Sequence, residues 1–312
     1  YPDCRFIGID AMPAHIEHGN AIIAELGLSN IELRCQTFKE ALVSGGIAAD
    51  YVAVQGVLSW ISKENQDALL NLISNLLAPE GVAVIGYNCL PGWEPIVAFQ
   101  KLVRALATNQ PGTPTQRFER AVERARLASD AGMCALNTDH FQWFDNQKGQ
   151  FPDDYFAHEY LNEHWQPLWS GEVIAQAAAH GLHFQCSSMP QRQREDFILK
   201  AAQRNQLEDI SDLSAREIMA DLFLNCWFRT DIFAKSSSPI PSDSTSKFEW
   251  HSGYWMAGHA NDETEYRTKT TAGTLNFDND CAHYIIDRLQ AGPATLAAMQ
   301  KSGAPGTPAD LE

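Results

Sequence analysis

The sequence predicts an α/β fold: a largely parallel, Rossmann-like sheet covered by helices on both faces, followed by a helical insertion and a further α-rich, α+β region. Three observations carry this. Short, nearly continuous apolar strands alternate with amphipathic helices from Arg5 to Tyr87, as strands buried on both faces do. The alternation stops after Trp93. At 312 residues the chain also exceeds the ~250–300 residues at which one core stops growing.

Arg5 to Asp10 is a short apolar strand ending in an acid. Ala11 to Leu26 sets Ile16, Ile22, Ile23 and Leu26 roughly on one helical face, and Gly27 follows as a stop signal. The unit repeats with the strand Ile31–Cys35, a short helix from Phe38 to Val43 and the strand Asp50–Val54. Ser62 is placed to cap an amphipathic helix reaching Leu77, with Leu69, Leu70, Ile73 and Leu76 inward. Pro79 to Tyr87 supplies another turn and strand.

Beyond Trp93, Val97–Leu106 and Arg117–Leu127 predict helices joined by the loop 108–115. An aromatic run fills Phe151–Glu163. An alanine-rich helix at Glu172–Gly181 leads to a strand at Leu182–Cys186 that returns to the sheet, and Arg192–Phe233 is expected to be helical. A Ser/Pro-rich linker at 235–246 precedes a small tail with strands at Phe248–Tyr254 and Glu265–Phe277 and a helix at Asp280–Gln290. The expected division is 1–110, 111–235 and 236–312.

Composition narrows the function. No apolar run reaches the ~20 residues of a membrane span, and a net charge of -16 gives no footing on phosphate backbones. A basic or lysine-bearing partner suits such a surface. Seven scattered cysteines without C-x-x-C spacing, and histidines that pair only as His15/His18 and His180/His183, indicate a reducing cytoplasm, no disulfide framework and no metal site. The first residues run straight into a strand, so the chain is expected to begin inside a domain.

Ligands of such sheets bind beyond the carboxyl ends of the strands. That rule selects Asp10, Gln36 to Phe38, Gln55 to Trp60, and Tyr87 to Trp93. Asp10, after Gly8 and before Ala11, is placed either to accept from both hydroxyls of a cofactor ribose or to cap the following helix. Phe38 is a stacking surface for a base or a core aromatic, and Gly56 allows close backbone approach to a ligand. Tyr87 and Asn88 are the candidates for orienting an incoming nucleophile, a tight turn with a satisfied amide and a buried ring being the alternative.

The strings FIGID (6–10), QGVLSW (55–60), LAPEG (77–81), YNCLPGW (87–93), YFAHEYL (155–161) and NCWFR (225–229) resemble class I S-adenosylmethionine-dependent methyltransferases that carry a methyltransferase regulatory domain, some of which are bacterial protein-lysine methyltransferases. The resemblance implies S-adenosyl-L-methionine as donor. It places Gly8, Asp10 and Ala11 at the ribose, Gln36, Thr37 and Phe38 at the adenine, and Gln55 and Gly56 beside the methionine moiety. It also implies a glycine-rich loop after a preceding strand, which is not found here, and relatives often carry an acid near Gln36 and a histidine near Gln55. His158 and Glu159 are candidates to border the substrate mouth, against capping or surface roles. Trp165, Trp169 and Trp227 are candidates for a homodimer surface. The rival readings are a non-catalytic scaffold and a nicotinamide-dependent dehydrogenase. A nucleic-acid methyltransferase is disfavoured by charge and by Gln55-Gly-Val-Leu58 where an Asn-Pro-Pro-aromatic motif would stand.

Overall fold

The computed structural model describes residues 1–134, 138–147, 150–235, 254–255, 267–270 and 272–305. The chain forms two compact units, Tyr1–Met189 with Ile210–Ser237, and Pro190–Asp209 with Ser238–Glu312. The first unit therefore joins most of the two leading regions expected from sequence. No helix among the described residues is long and apolar enough to cross a membrane.

The first unit opens with β1 (Phe6–Asp10), α1 (Pro13–Glu25) and β2 (Ile31–Cys35), the strands pairing in parallel from Phe6↔Ile31 to Asp10↔Cys35. Gly8 is a packing glycine. A Cβ there would stand 2.6 Å from Leu33 Cδ2, and a Cβ on Gly19 of α1 would press on the same leucine, so the two glycines let Leu33 fit between strand and helix. Thr37 caps α2 (Phe38–Ser44) in a reciprocal capping box with Glu40.

β3 (Ala49–Gln55), a 3-10 turn (Leu58–Trp60), α3 (Lys63–Leu76) and β4 (Leu77–Asn88) follow. The Ser62 hydroxyl accepts the Asn65 N–H as the expected N-cap. Leu69, Leu70 and Ile73 pack with Ala83 and Ile85 in the main core, where each fully buried large side chain stabilises by about 1.5–3 kcal/mol.

Next come α4 (Glu94–Ala107), α5 (Pro114–Asp130), α6 (Thr138–Gln147) and α7 (Asp153–Leu161). They enclose a second core dominated by Phe99, Phe118, Phe144, Phe156 and Tyr160. α8 (Ser170–Ala179) leads into β5 (His183–Ser187), which returns to the sheet as expected.

The helical expectation for Arg192–Phe233 is corrected in part. α9 (Glu195–Ile198), α10 (Ala201–Glu208) and α11 (Leu213–Leu224) are helices, but Phe228–Ala234 is a strand, β6. The sheet runs β3-β4-β6-β5, with β6 antiparallel to both neighbours. Its buried positions are Arg229, Asp231 and Phe233, so the alternation expected of a strand carries charge where apolar residues are sought. The sheet is also mixed and divided: β1 and β2 form a separate two-stranded piece.

Among the described residues of the second unit, β-pairs join Arg267–Thr270 with Gly273–Asn276 and Tyr254–Trp255 with Ala294–Thr295. Helices span Asp280–Gln290 and Leu296–Lys301. Residues 236–246 of the expected linker at 235–246, and the strand start at 248–253, lie outside the described residues.

Candidate functional site

Asp10 ends β1 with its side chain 43% exposed. One carboxylate oxygen accepts the Met12 N–H at 2.7 Å, and the other meets His15 Nδ1 at 3.0 Å. Partial burial opposes ionisation, but the His15 and Met12 hydrogen bonds outweigh it and hold the carboxyl below its usual range. The local capping geometry is thus realised, and a ligand hydroxyl would share these oxygens with His15. Ala11 is exposed, its carbonyl facing the Cys35 thiol.

At the end of β2 the Gln36 amide donates to the Ser44 hydroxyl at 2.8 Å. Gln36 Oε1 is buried and has no hydrogen-bond partner among the described residues. Thr37 is occupied by its capping box. Phe38 is half-buried and packs against both the α2–α3 cluster and the main core. It also lines a cavity of about 610 Å³, shared by Ile7 and Ile9 of β1, Val52 and Val54 of β3, and Leu72 of α3. This cavity runs between β1 and β3, and Phe38, Gln55 and Val57 of the residues selected from sequence line it.

β3 ends at Gln55, whose amide lies across Gly86, where a Cβ would collide with it. Gly56 turns the chain with φ +68°, and nothing among the described residues comes within 4 Å of where its Cβ would stand. Its N–H is held by the Gly86 carbonyl at 3.0 Å. The following 3-10 turn buries Ser59 and presents Trp60, which stacks on His158 with ring centroids 5.3 Å apart.

Tyr87 and Asn88, adjacent in sequence, part company. Tyr87 is wholly buried and donates its hydroxyl to Asp231 Oδ2 at 2.7 Å. Burial first, and then the Asp231 charge, push its pKa well above the ordinary tyrosine value. Its phenol therefore belongs to the interior and not to the strand ends, a correction to the acceptor-orienting role expected from sequence. Asn88 is 8% exposed, with backbone N–H on Ser59 Oγ at 2.9 Å and carbonyl on the Leu168 N–H. Its side-chain amide has no hydrogen-bond partner among the described residues.

The turn Cys89–Trp93 lies against Cys226–Trp227. The Cys89 and Gly92 N–H groups donate to the Trp227 and Cys226 carbonyls at 2.8 and 2.9 Å, and a Cβ on Gly92 would stand 2.6 Å from the Cys226 carbonyl oxygen. Beneath the turn, Arg229 reaches Glu217 at 2.8 Å, Asp221 at 3.0 Å and Asp231 at 2.9 Å. Burial raises the pKa of Asp231 against the opposing pull of Arg229. Cys89, Asp221 and Cys226 bring their side-chain ligand atoms within 4.8 Å of one another, but Asp221 is already committed to Arg229 and Ser170.

Sequence reasoning missed how Glu159 is placed. It is only 6% exposed and accepts the Trp165 indole N–H at 3.0 Å. Desolvation pushes its carboxyl up to about 7, against the lowering hydrogen bonds of Trp165 and Tyr155. Trp165 is buried, with Trp93 edge-on to it and to half-buried Trp227, and Trp169 is also half-buried. Trp165 is thus a core residue of the unit, whereas Trp169 and Trp227 keep part of their surface exposed. The HEYL string was the available signal, because a glutamate between aromatic residues on a core-facing helix is costly unless used.

Residues 152–235 match the family described as a predicted methyltransferase regulatory domain. An uncharacterised protein of Synechocystis is 26% identical over 303 residues, covering 96% of this chain and 60% of its own length. An uncharacterised protein of Rickettsia prowazekii is 26% identical over 271 residues, covering 80% and 45%. The chain thus spans about half of the curated relatives it matches. The structure of PKMT2 from Rickettsia typhi is similar over 78% of this chain and 46% of its own, with a TM-score of 0.59 and 25% identity. PKMT2 in complex with AdoHcy covers 100% of this chain and 64% of its own, with a TM-score of 0.70 and 19% identity. The chain has the class I methyltransferase fold, and its residues 152–235 match the methyltransferase regulatory domain family.

Proposed function

We propose that the protein transfers a methyl group from S-adenosyl-L-methionine to a nucleophile, with a protein lysine amine as the favoured acceptor. The observation that carries this is the likeness of the whole chain to PKMT2 in complex with AdoHcy, with candidate ligand groups at the carboxyl ends of four successive strands. The residues present fit such a donor. The orphaned Gln36 Oε1 is an acceptor for an adenine amino group, Asp10 for ribose hydroxyls, and the open side of Gly56 admits close backbone approach.

When bound, the sulfonium supplies an activated methyl group. This chain's residues contribute position: in-line transfer gains chiefly from proximity and orientation. Asn88, its side-chain amide without a hydrogen-bond partner among the described residues and its backbone tied to Ser59, is proposed to orient the acceptor. Tyr87, hydrogen-bonded to Asp231, ties β4 to β6 beneath it. A lysine acceptor must shed a proton before it attacks.

Calorimetric titration of AdoHcy into this chain and into Asp10→Ala tests the reading. Saturable binding that Asp10→Ala weakens at least tenfold supports it. Absence of binding by folded protein overturns cofactor capture by this chain and favours a scaffold role.

A further inference from the structure

Glu159 is tied to the strand ends by a continuous set of contacts. Ser59 Oγ accepts the Asn88 N–H at 2.9 Å, and the Ser59 carbonyl accepts the Gln166 N–H at 2.9 Å. The neighbour of Gln166, Trp165, donates its indole N–H to Glu159 at 3.0 Å. On the preceding residue of α7, His158 stacks on Trp60, which closes the turn after Gly56. The carboxylate is thus linked through Trp165 and Gln166 to Ser59 and Asn88, and Trp93 packs edge-on against the same Trp165 ring.

Its partners are unusual for a buried acid. The described donors to it are the Trp165 indole and the Tyr155 hydroxyl, both neutral. The titratable groups facing it are Tyr155 and Tyr160 of its own helix, and the loop packed on it presents Trp165, which does not titrate. An ionised carboxylate removed from water without a cation is costly. Such a group is suited to receive an organic cation, whose charge compensates it.

We propose that Glu159 binds the ammonium group of the acceptor and takes its proton, so that the acceptors are primary amines. This rests on the methyl-transfer reading and names its substrate class. The step balances: R–NH3+ passes one proton to the Glu159 carboxylate, leaving R–NH2 and a neutral carboxylic acid. The freed nitrogen lone pair then forms the N–C bond to the methyl group, and the electron pair of the broken C–S bond stays on sulfur. Burial, which holds the carboxyl up to about 7, brings its proton affinity towards that of a desolvated amine.

The test is an NMR titration of the Trp165 indole N–H, assigned by its loss in Trp165→Phe, over pH 5 to 9 with and without n-butylammonium; n-butanol is the neutral control. The expected result is a midpoint near 7 that falls by roughly 1 to 3 pH units with the amine, is unmoved by butanol and vanishes in Glu159→Gln. A midpoint indifferent to the amine overturns the proposal. Because this readout needs no cofactor, AdoHcy calorimetry on the same samples separates the two failures. Retained AdoHcy binding with an indifferent midpoint sinks only the role of Glu159. Lost AdoHcy binding with an amine-sensitive midpoint sinks the cofactor reading and keeps the amine site.

Discussion

The hydroxyl of Ser59 accepts the backbone N–H of Asn88 at 2.9 Å, fastening the turn after β3 to the last residue of β4. Ser59 is fully buried and Asn88 nearly so. Ser59→Ala therefore leaves an interior N–H without its acceptor, a cost of about 1–3 kcal/mol. Urea unfolding should show that loss. AdoHcy affinity should change less than threefold if, as proposed, Ser59 supports the acceptor side through Asn88; a larger change would place Ser59 in the cofactor pocket.

The legible parts of the fold were those where one physical signal dominates. α3 declares itself by an inward leucine face and a serine cap, and β4 by its unbroken apolar run. β6 was hidden because its inward residues include Arg229 and Asp231, whose charges answer each other and those of Glu217 and Asp221, with the Tyr87 hydroxyl a further donor to Asp231. In the site, strand-end logic selected Asp10 and Gly56, which stand at the end of β1 and just after β3. It failed for Tyr87, whose direction depends on β6, and for Glu159, whose burial depends on the packing of α7 under Trp165.

The cluster around Arg229 is a folding determinant. Arg229→Met removes the one cation shared by Glu217, Asp221 and Asp231, and stranding buried carboxylates costs about 3–5 kcal/mol. Tyr87→Phe removes only one donor to Asp231 and should cost about 1–3 kcal/mol. Denaturation of both variants at one pH should rank them in that order. Equal losses would mean that the hydroxyl, not the ion pairs, anchors β4 to β6.

Cysteine reactivity should sort by burial. Cys4, Cys35 and Cys134 are exposed, whereas Cys89 and Cys226 are buried, and contact with Cys226 followed by burial pushes the Cys89 thiol upward. Thiolate is the reactive form. An aromatic disulfide reagent should label the exposed three promptly and reach Cys89 and Cys226 only on unfolding. Prompt labelling of Cys89 would show that the turn Cys89–Trp93 opens in the native state.

Glu159 makes stability depend on pH in a direction opposite to that of a salt-bridged acid. Its folded pKa of about 7 lies above the ordinary 4.5, so the fold prefers the protonated form. That contribution is complete below about pH 4.5 and is lost as the pH rises through about 7. The difference of about 2.5 pH units, at ~1.4 kcal/mol each, sets the order of the loss at ~3 kcal/mol. Glu159→Gln keeps the size of the side chain and mimics its neutral state. The variant should differ from the parent by under ~1 kcal/mol at pH 5 and be the more stable by ~2–3 kcal/mol at pH 8. Urea unfolding at the two pH values decides it. If the stability gap between the two proteins is the same at both, Glu159 titrates as an ordinary surface acid and the charge strain attributed to it is absent.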